Sequence, residues 1–118
     1  MTSHPLEIVH TDICGPTRIK ILQGEYYFML VIDDYTRMTW VTFLKEKSEA
    51  FEKFKIFKAM VENETHMTIK CLRSNNGGEF TSNYFNEFCD IHGIKRQFLV
   101  PNTPRQNNVV ERKNRKVQ

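Results

Sequence analysis

Two short breaks in the first half of the sequence constrain this chain more than any other feature. Leu6 to Ile13, Tyr26 to Ile32 and Thr39 to Leu44 are rich in β-branched and aromatic residues, the composition of strands on a half-buried surface. Gly15-Pro16 punctuates the first, and Asp33-Asp34-Tyr35-Thr36 separates the second from the third. A connection that short cannot hold a crossover helix, so the second and third strands are expected to pair as an antiparallel hairpin. The first half reads as a meander.

The second half changes period. After Ser48, which reads as a helix N-cap, apolar residues at Ala50, Phe54, Phe57 and Val61 make one greasy helical face. Ile69 to Leu72 reads as a short strand, and Asn76-Gly77-Gly78 breaks the chain before a helix from Thr81 to Ile91 that Gly93 ends. Ile94 to Val100 gives a fifth strand, Pro101 and Pro104 bracket a loop, and Asn107 to Val117 resumes a helical, strongly basic pattern. This order predicts an α/β fold, a five-stranded mixed sheet with helices on its faces. With 118 residues there is room for one domain of ordinary size. Sites in such sheets gather at strand ends.

No run approaches the length of a membrane span and the N-terminus lacks a signal-peptide layout, so the chain is expected to be intracellular and to have no membrane partner. Cys14, Cys71 and Cys89 contain no C-x-x-C pair and are odd in number, which points to small buried hydrophobes rather than disulfides. The four histidines are not spaced with them as a zinc site requires. Net charge is only +3, but from Ile94 onward Lys95, Arg96, Arg105, Arg112, Lys113, Arg115 and Lys116 stand against Glu111 alone. Such a cluster fits either a polyanion or a solvated helix face.

Asp12 is an acid at the end of an apolar strand segment, and by itself it reads equally well as a turn residue making a local hydrogen bond ahead of Gly15-Pro16. Glu111 alone reads as a solvated carboxylate pairing with Arg115 one helical turn on. Asp33 and Asp34 read as turn residues, and Glu79 as an acid of the first turn of a helix.

Taken together, four segments carry a resemblance: His10-Thr11-Asp12-Ile13-Cys14-Gly15-Pro16; Ile32-Asp33-Asp34-Tyr35-Thr36-Arg37; Leu72-Arg73-Ser74-Asn75-Asn76-Gly77-Gly78-Glu79-Phe80; and Pro101-Asn102-Thr103-Pro104-Arg105-Gln106-Asn107-Asn108-Val109-Val110-Glu111-Arg112. In this order they closely resemble the integrase catalytic core of copia-type retrotransposons, across nearly the whole chain. The resemblance implies a ribonuclease-H-like fold. It also implies a triad of two aspartates and a glutamate, the last two separated by thirty-five residues. Residues 76 through 110 number thirty-five, so Asp12 matches the first aspartate, Glu111 the glutamate, and Asn75 stands where the second aspartate belongs.

The implied chemistry is DNA end processing and strand transfer on Mg²⁺ or Mn²⁺, with Asp12, Asn75 and Glu111 as catalytic and metal-binding positions. A pair of such ions activates the attacking oxygen and stabilises the leaving one, and hard ions of this kind prefer charged oxygens. Asn75 offers a neutral carbonyl oxygen and no charge, so metal is expected to bind weakly and activity to be impaired. The alternative is a non-catalytic DNA-binding or assembly module that has kept the fold. Asp12, Asn75 and Glu111 are expected to converge at one end of the sheet.

In the basic C-terminal helix Asn107, Glu111 and Arg115 fall on one face with Asn114, and Arg105, Arg112, Lys113 and Lys116 extend the charge. By resemblance this face and the preceding loop hold element ends and target DNA, in a homo-oligomer within the nucleus. Asn102 replaces an aromatic usual in the family and Asn108 a glycine, a turn that Asn tolerates better than other residues. The resemblance makes residues 1–118 a truncated core, without the zinc-binding segment and C-terminal region that flank it elsewhere.

Overall fold

A computed structural model describes residues 2–99 of the chain. The elements are β1 (Ile8–Ile19), β2 (Gly24–Asp33), β3 (Thr39–Leu44), a single 3₁₀ turn (Lys47–Glu49), α1 (Ala50–Thr65), β4 (Cys71–Asn75), α2 (Gly78–Thr81), α3 (Asn83–Ile91) and β5 (Lys95–Leu99). They build one sheet in the order β3-β2-β1-β4-β5. The pairs β1 with β2 and β2 with β3 are antiparallel, whereas β4 is parallel to both β1 and β5. The expected meander and mixed sheet are both present. The basic segment Asn107 to Val117 lies outside the described residues.

Alternation sorts the strands into two faces. Val9, Met29, Val31 and Leu72 point one way and join Phe54, Phe57, Val61, Phe80, Phe85 and Cys89 in a single core. Phe54 is the hub, its ring 5.3 Å from Phe85 and 6.3 Å from Phe57, and burial of each such ring stabilises the fold by about 1.5 to 3 kcal/mol. The greasy face expected of α1 is the one buried: Ala50, Phe54, Phe57 and Val61. At the far end of that helix Glu62 accepts from Lys58 Nζ at 2.8 Å and from the Ile69 N–H at 2.7 Å, which ties α1 to the approach of β4. The other sheet face carries Phe28, Leu30, Ile32, Val41 and Phe43 beside His10, Asp12 and Arg73.

Four expectations need correction. Gly15-Pro16 does not end the first strand: the register shifts between Cys14 and Thr17 and pairing then resumes from Thr17↔Tyr26 to Ile19↔Gly24, so the break is a bulge. Gly15 has φ +117, and a Cβ there would meet the Tyr26 carbonyl oxygen at 3.0 Å, which is why glycine serves at this bend. Ser48 is not the cap of α1. It lies inside the 3₁₀ turn, whose start is held by the Glu46 N–H donating to Glu49 Oε2. The helix expected from Thr81 to Ile91 is two, because Ser82 is extended and caps α3 by accepting from the Phe85 N–H at 3.2 Å. The fourth strand starts and ends later than expected, at Cys71 and Asn75, which brings Asn75 itself to the strand end.

Candidate active site

Asp12 lies on β1 just past the point where that strand stops pairing with β4, the last partners being His10 and Arg73. Asn75 ends β4. The two strands run parallel here, so both side chains emerge at the same end of the sheet. Asn75 Nδ2 donates to Asp12 Oδ1 at 3.3 Å across 63 residues of sequence. Asp12 is exposed, and the same oxygen accepts from the neighbouring Ile13 N–H at 2.9 Å. Glu111, expected as the third member, lies outside the described residues, as do Arg105, Asn107, Arg112, Lys113, Asn114, Arg115 and Lys116.

The loop after β4 is built around the Asn75 amide. Its Oδ1 accepts from the Gly77 N–H at 2.7 Å, an Asx turn that folds the chain back before α2. A Cβ on Gly77 would stand 2.9 Å from Asn75 Oδ1 and 3.1 Å from Glu79 Oε1, so glycine leaves both groups room beside its amide. That contact also shows Glu79 leaning toward the Asn75 loop rather than away from it.

A guanidinium braces the loop from beneath. Arg96 belongs by sequence to the basic cluster after Ile94, but on β5 it alternates inward, opposite Leu72, and is half-buried. Its Nη2 donates to the Phe80 carbonyl at 2.7 Å and to Ser74 Oγ at 3.4 Å, and its Nη1 to Asn86 Oδ1 at 3.2 Å. The plane lies 4.8 Å from the Phe85 ring and 4.5 Å from that of Phe98. Burial lowers the Arg96 pKa from its ordinary value, against weaker opposing effects of Cys89 and Cys71. Ser74 in turn donates to the Asn75 carbonyl at 2.9 Å, so one side chain links β4, α2 and α3 under the site.

Beneath Asp12 on the same face, His10 Nε2 lies 3.0 Å from Asp34 Oδ1. A carboxylate only accepts, so this nitrogen carries the hydrogen. Burial lowers the His10 pKa, outweighing the opposing pull of Asp34. Burial also works to raise the Asp34 pKa, but hydrogen bonds from His10 and Thr2 together with the charge of Arg37 bring it below the ordinary value.

A metal pair needs several anionic oxygens converging on one point. Here the described residues supply one carboxylate, one of whose oxygens already accepts two N–H groups, and one amide that turns its NH₂ toward that carboxylate and its oxygen toward Gly77. Among the described residues no three His, Cys, Asp or Glu side chains are placed to share an ion. The described donors by themselves do not fit a metal pair.

The segment from residue 2 to residue 104 matches the model of the integrase core domain. The chain belongs to the integrase core family. It is 47% identical over 112 residues to the retrovirus-related Pol polyprotein from transposon TNT 1-94 of Nicotiana tabacum, covering 95% of this chain and 8% of that protein. With the corresponding polyprotein from transposon RE2 of Arabidopsis thaliana it shares 37% identity over 116 residues, 98% of this chain and 8% of that one. The integrase core thus spans about a twelfth of the length of these curated relatives, which are copia-type elements. Among solved structures, the HTLV-2 integrase catalytic core domain in complex with magnesium, in its dimeric form, superposes with a TM-score of 0.66 at 21% identity, covering 93% of this chain and 66% of that one. The BIV integrase core domain gives 0.58 at 17% identity, covering 93% and 65%. The fold is ribonuclease-H-like, a five-stranded mixed sheet with helices. No helix of the described residues is long and apolar enough to cross a membrane.

Proposed function

We propose that residues 1–118 are the DNA-acting core of a retrotransposon integrase, a polynucleotidyl transferase by descent whose active site is impaired at Asn75. The hydrogen bond from Asn75 Nδ2 to Asp12 Oδ1 carries this reading. At that position the family's chemistry calls for an anion facing a shared cation, and this chain instead presents a hydrogen-bond donor to the aspartate. Asp12 and Glu111 remain as candidate ligands, with Asn75 contributing at most a carbonyl oxygen now engaged by Gly77. The HTLV-2 core holds magnesium; in this chain Mg²⁺ or Mn²⁺ would bind weakly at Asp12, Asn75 and Glu111. Element ends and target DNA would be held by Arg105, Asn107, Arg112, Lys113, Asn114, Arg115 and Lys116, in a homo-oligomer acting in the nucleus.

A second reading is a DNA-binding or assembly module with no residual chemistry. The favouring observation is the same amide, whose oxygen is taken by the Gly77 N–H and whose nitrogen is turned to Asp12. Calorimetric titration of Mg²⁺ and Mn²⁺, paired with strand transfer on oligonucleotide ends, separates the two when run on wild type and Asn75→Asp. Restoring the carboxylate should tighten metal binding and raise residual activity by up to about 10² to 10⁴-fold. Equal metal affinity in the two proteins would remove Asn75 from the metal site. Tighter metal without activity would implicate Asn102, Asn108 or the regions that flank the core in relatives.

A further inference from the structure

The first hairpin outgrows the sheet. Strand β3 stops pairing with β2 at Tyr27↔Leu44, and β4 stops pairing with β1 at His10↔Arg73, yet β1 and β2 continue together from Thr17↔Tyr26 to Ile19↔Gly24. The result is a two-stranded arm that projects from the end of the sheet where Asp12 and Asn75 meet. Its turn is fixed rather than loose. The Leu22 N–H donates to the Ile19 carbonyl and the Gln23 N–H to that of Lys20, each at 3.1 Å, and Tyr26 Oη donates to the Leu22 carbonyl at 3.2 Å.

The tip presents Ile21, 92% exposed, between Lys20 and Leu22. A solitary exposed apolar residue needs no explanation. This one crowns a braced arm bordered by cations: Arg18 and Lys20 on the arm, then Lys45 with its Nζ 4.6 Å from the Tyr26 ring, and Lys47 5.6 Å from that of Tyr27. Lys45 follows the arm closely enough that a Cβ on Gly24 would meet its Nζ at 3.3 Å. Among the described residues none of the four is in an ion pair. In the shallow groove beside the arm Lys45 and Lys47 are balanced by Glu25 and Glu46, and Glu25 also stands across the strands from Arg18, so the surplus positive charge is that of Arg18 and Lys20 toward the tip.

We infer that this arm is a second DNA-contacting element: Arg18, Lys20 and Lys45 take phosphates and Ile21 enters a groove of the duplex. Apolar wedges flanked by basic residues are a recurrent way of gripping a minor groove, and a ribbon tip that delivers one such side chain leaves its flanking cations at the phosphates. The spacing agrees. From Asp12 to Arg18 is six residues, at most about 20 Å of strand given the bulge at Gly15-Pro16, and thus up to about six base pairs, with Lys20 just beyond in the turn. A duplex whose reacting phosphate sits between Asp12 and Asn75 would reach the tip within one helical turn. This inference rests on the DNA-acting reading above and adds to it residues other than the basic ones of 105–116.

The test is fluorescence anisotropy of the full chain with a labelled duplex of about three helical turns, across a salt series. Three variants are compared with wild type: Ile21→Ser; Arg18→Gln with Lys20→Gln and Lys45→Gln; and Arg112→Gln with Lys113→Gln, Arg115→Gln and Lys116→Gln. The arm triple should lower the slope of log affinity against log salt by about 2 to 3 and weaken binding at least about tenfold. Ile21→Ser should weaken binding about fivefold at unchanged slope, since it removes apolar contact and no charge. If wild type binds and only the variant in residues 112–116 loses affinity, the arm inference is overturned while the proposed function stands. No binding by wild type at low salt overturns both. If sedimentation shows Ile21→Ser changing self-association while DNA affinity is untouched, the tip is a contact between copies of this chain, and the inference again fails.

Discussion

Two acidic side chains stand on this sheet in opposite circumstances. Asp33, at the end of β2, is 1% exposed, and its carboxyl group accepts from the Leu6 N–H at 2.8 Å, the Thr36 N–H at 2.9 Å and Thr36 Oγ1 at 2.7 Å. Asp12, on β1, is exposed and accepts only from its neighbour's N–H and, at 3.3 Å, from Asn75. The first group has every need met by the fold, so its position is architectural: it pins the N-terminal segment and the turn into β3 to one point. The second is left short of partners and faces solvent. Its Oδ1 takes both of those bonds, so Oδ2 is the oxygen open to water or a ligand.

The same exchange at both positions should give the largest contrast. Asp33→Asn keeps the shape but sets an NH₂ against one of the N–H donors, whichever way the amide turns, leaving buried donors face to face. We expect a loss of about 2 to 4 kcal/mol in urea unfolding, with unchanged m-value. Asp12→Asn disturbs no buried partner and should stay within about 0.5 kcal/mol of wild type. Equal losses would erase the distinction between the two acids.

Arg96 provides a way to sharpen it, because this residue supports the Asn75 loop without reaching the solvent-facing site. Arg96→Met retains the stem between Phe85 and Phe98 but abandons the Phe80 carbonyl and Ser74 Oγ. The expected cost is about 1 to 3 kcal/mol, with faster hydrogen exchange at the Gly77 amide as the loop loosens. Arg96→Lys should recover little, since an ammonium has neither the plane nor the fork of a guanidinium. Wild-type exchange at Gly77 in Arg96→Met would show that the loop stands without its brace.

Much of this architecture is legible from local pattern. The aromatic and β-branched composition of Tyr26 to Ile32 and Thr39 to Leu44, with the short break between them, and the spacing of Ala50, Phe54, Phe57 and Val61 set the hairpin and the buried face of α1. Local pattern fails where a distant partner overrides it. Gly15-Pro16 reads as a stop until β2 is seen to bridge it, and the arm beyond is invisible without that pairing. Arg96 disappears into a charge count, although alternation with Ile94 and Phe98 already placed it on the inward side of β5. Ser82 is a readable cap residue for α3, but Thr81 and Asn83 beside it are as polar and hide the boundary. The meeting of Asp12 with Asn75 across 63 residues was reachable only through the order of motifs, since nothing near either residue encodes the other.

The smallest effect concerns His10, which belongs partly to each side of the comparison: it shares the outward sheet face with Asp12 and has its nitrogen on Asp34, next to the buried Asp33. Burial lowers its pKa below the ordinary 6.5 despite Asp34, so the folded chain takes up a proton less readily than the unfolded one. The sign follows. Stability is fully present above about pH 6.5 and falls as pH drops toward the folded pKa, because the unfolded state binds more protons there. Asp34, also lowered, adds to the loss further down, as pH falls past 3.8 and through its own folded value. Wild type should therefore unfold at lower urea at about pH 5.5 than at about pH 7.5, by less than about 1 kcal/mol, and His10→Gln should flatten that difference. A wild type that gains stability on acidification would mean that the charge of Asp34 wins over burial. His10 would then be a cation paired in the folded state, and the outward face beneath Asp12 would be more positive than its neutral form makes it.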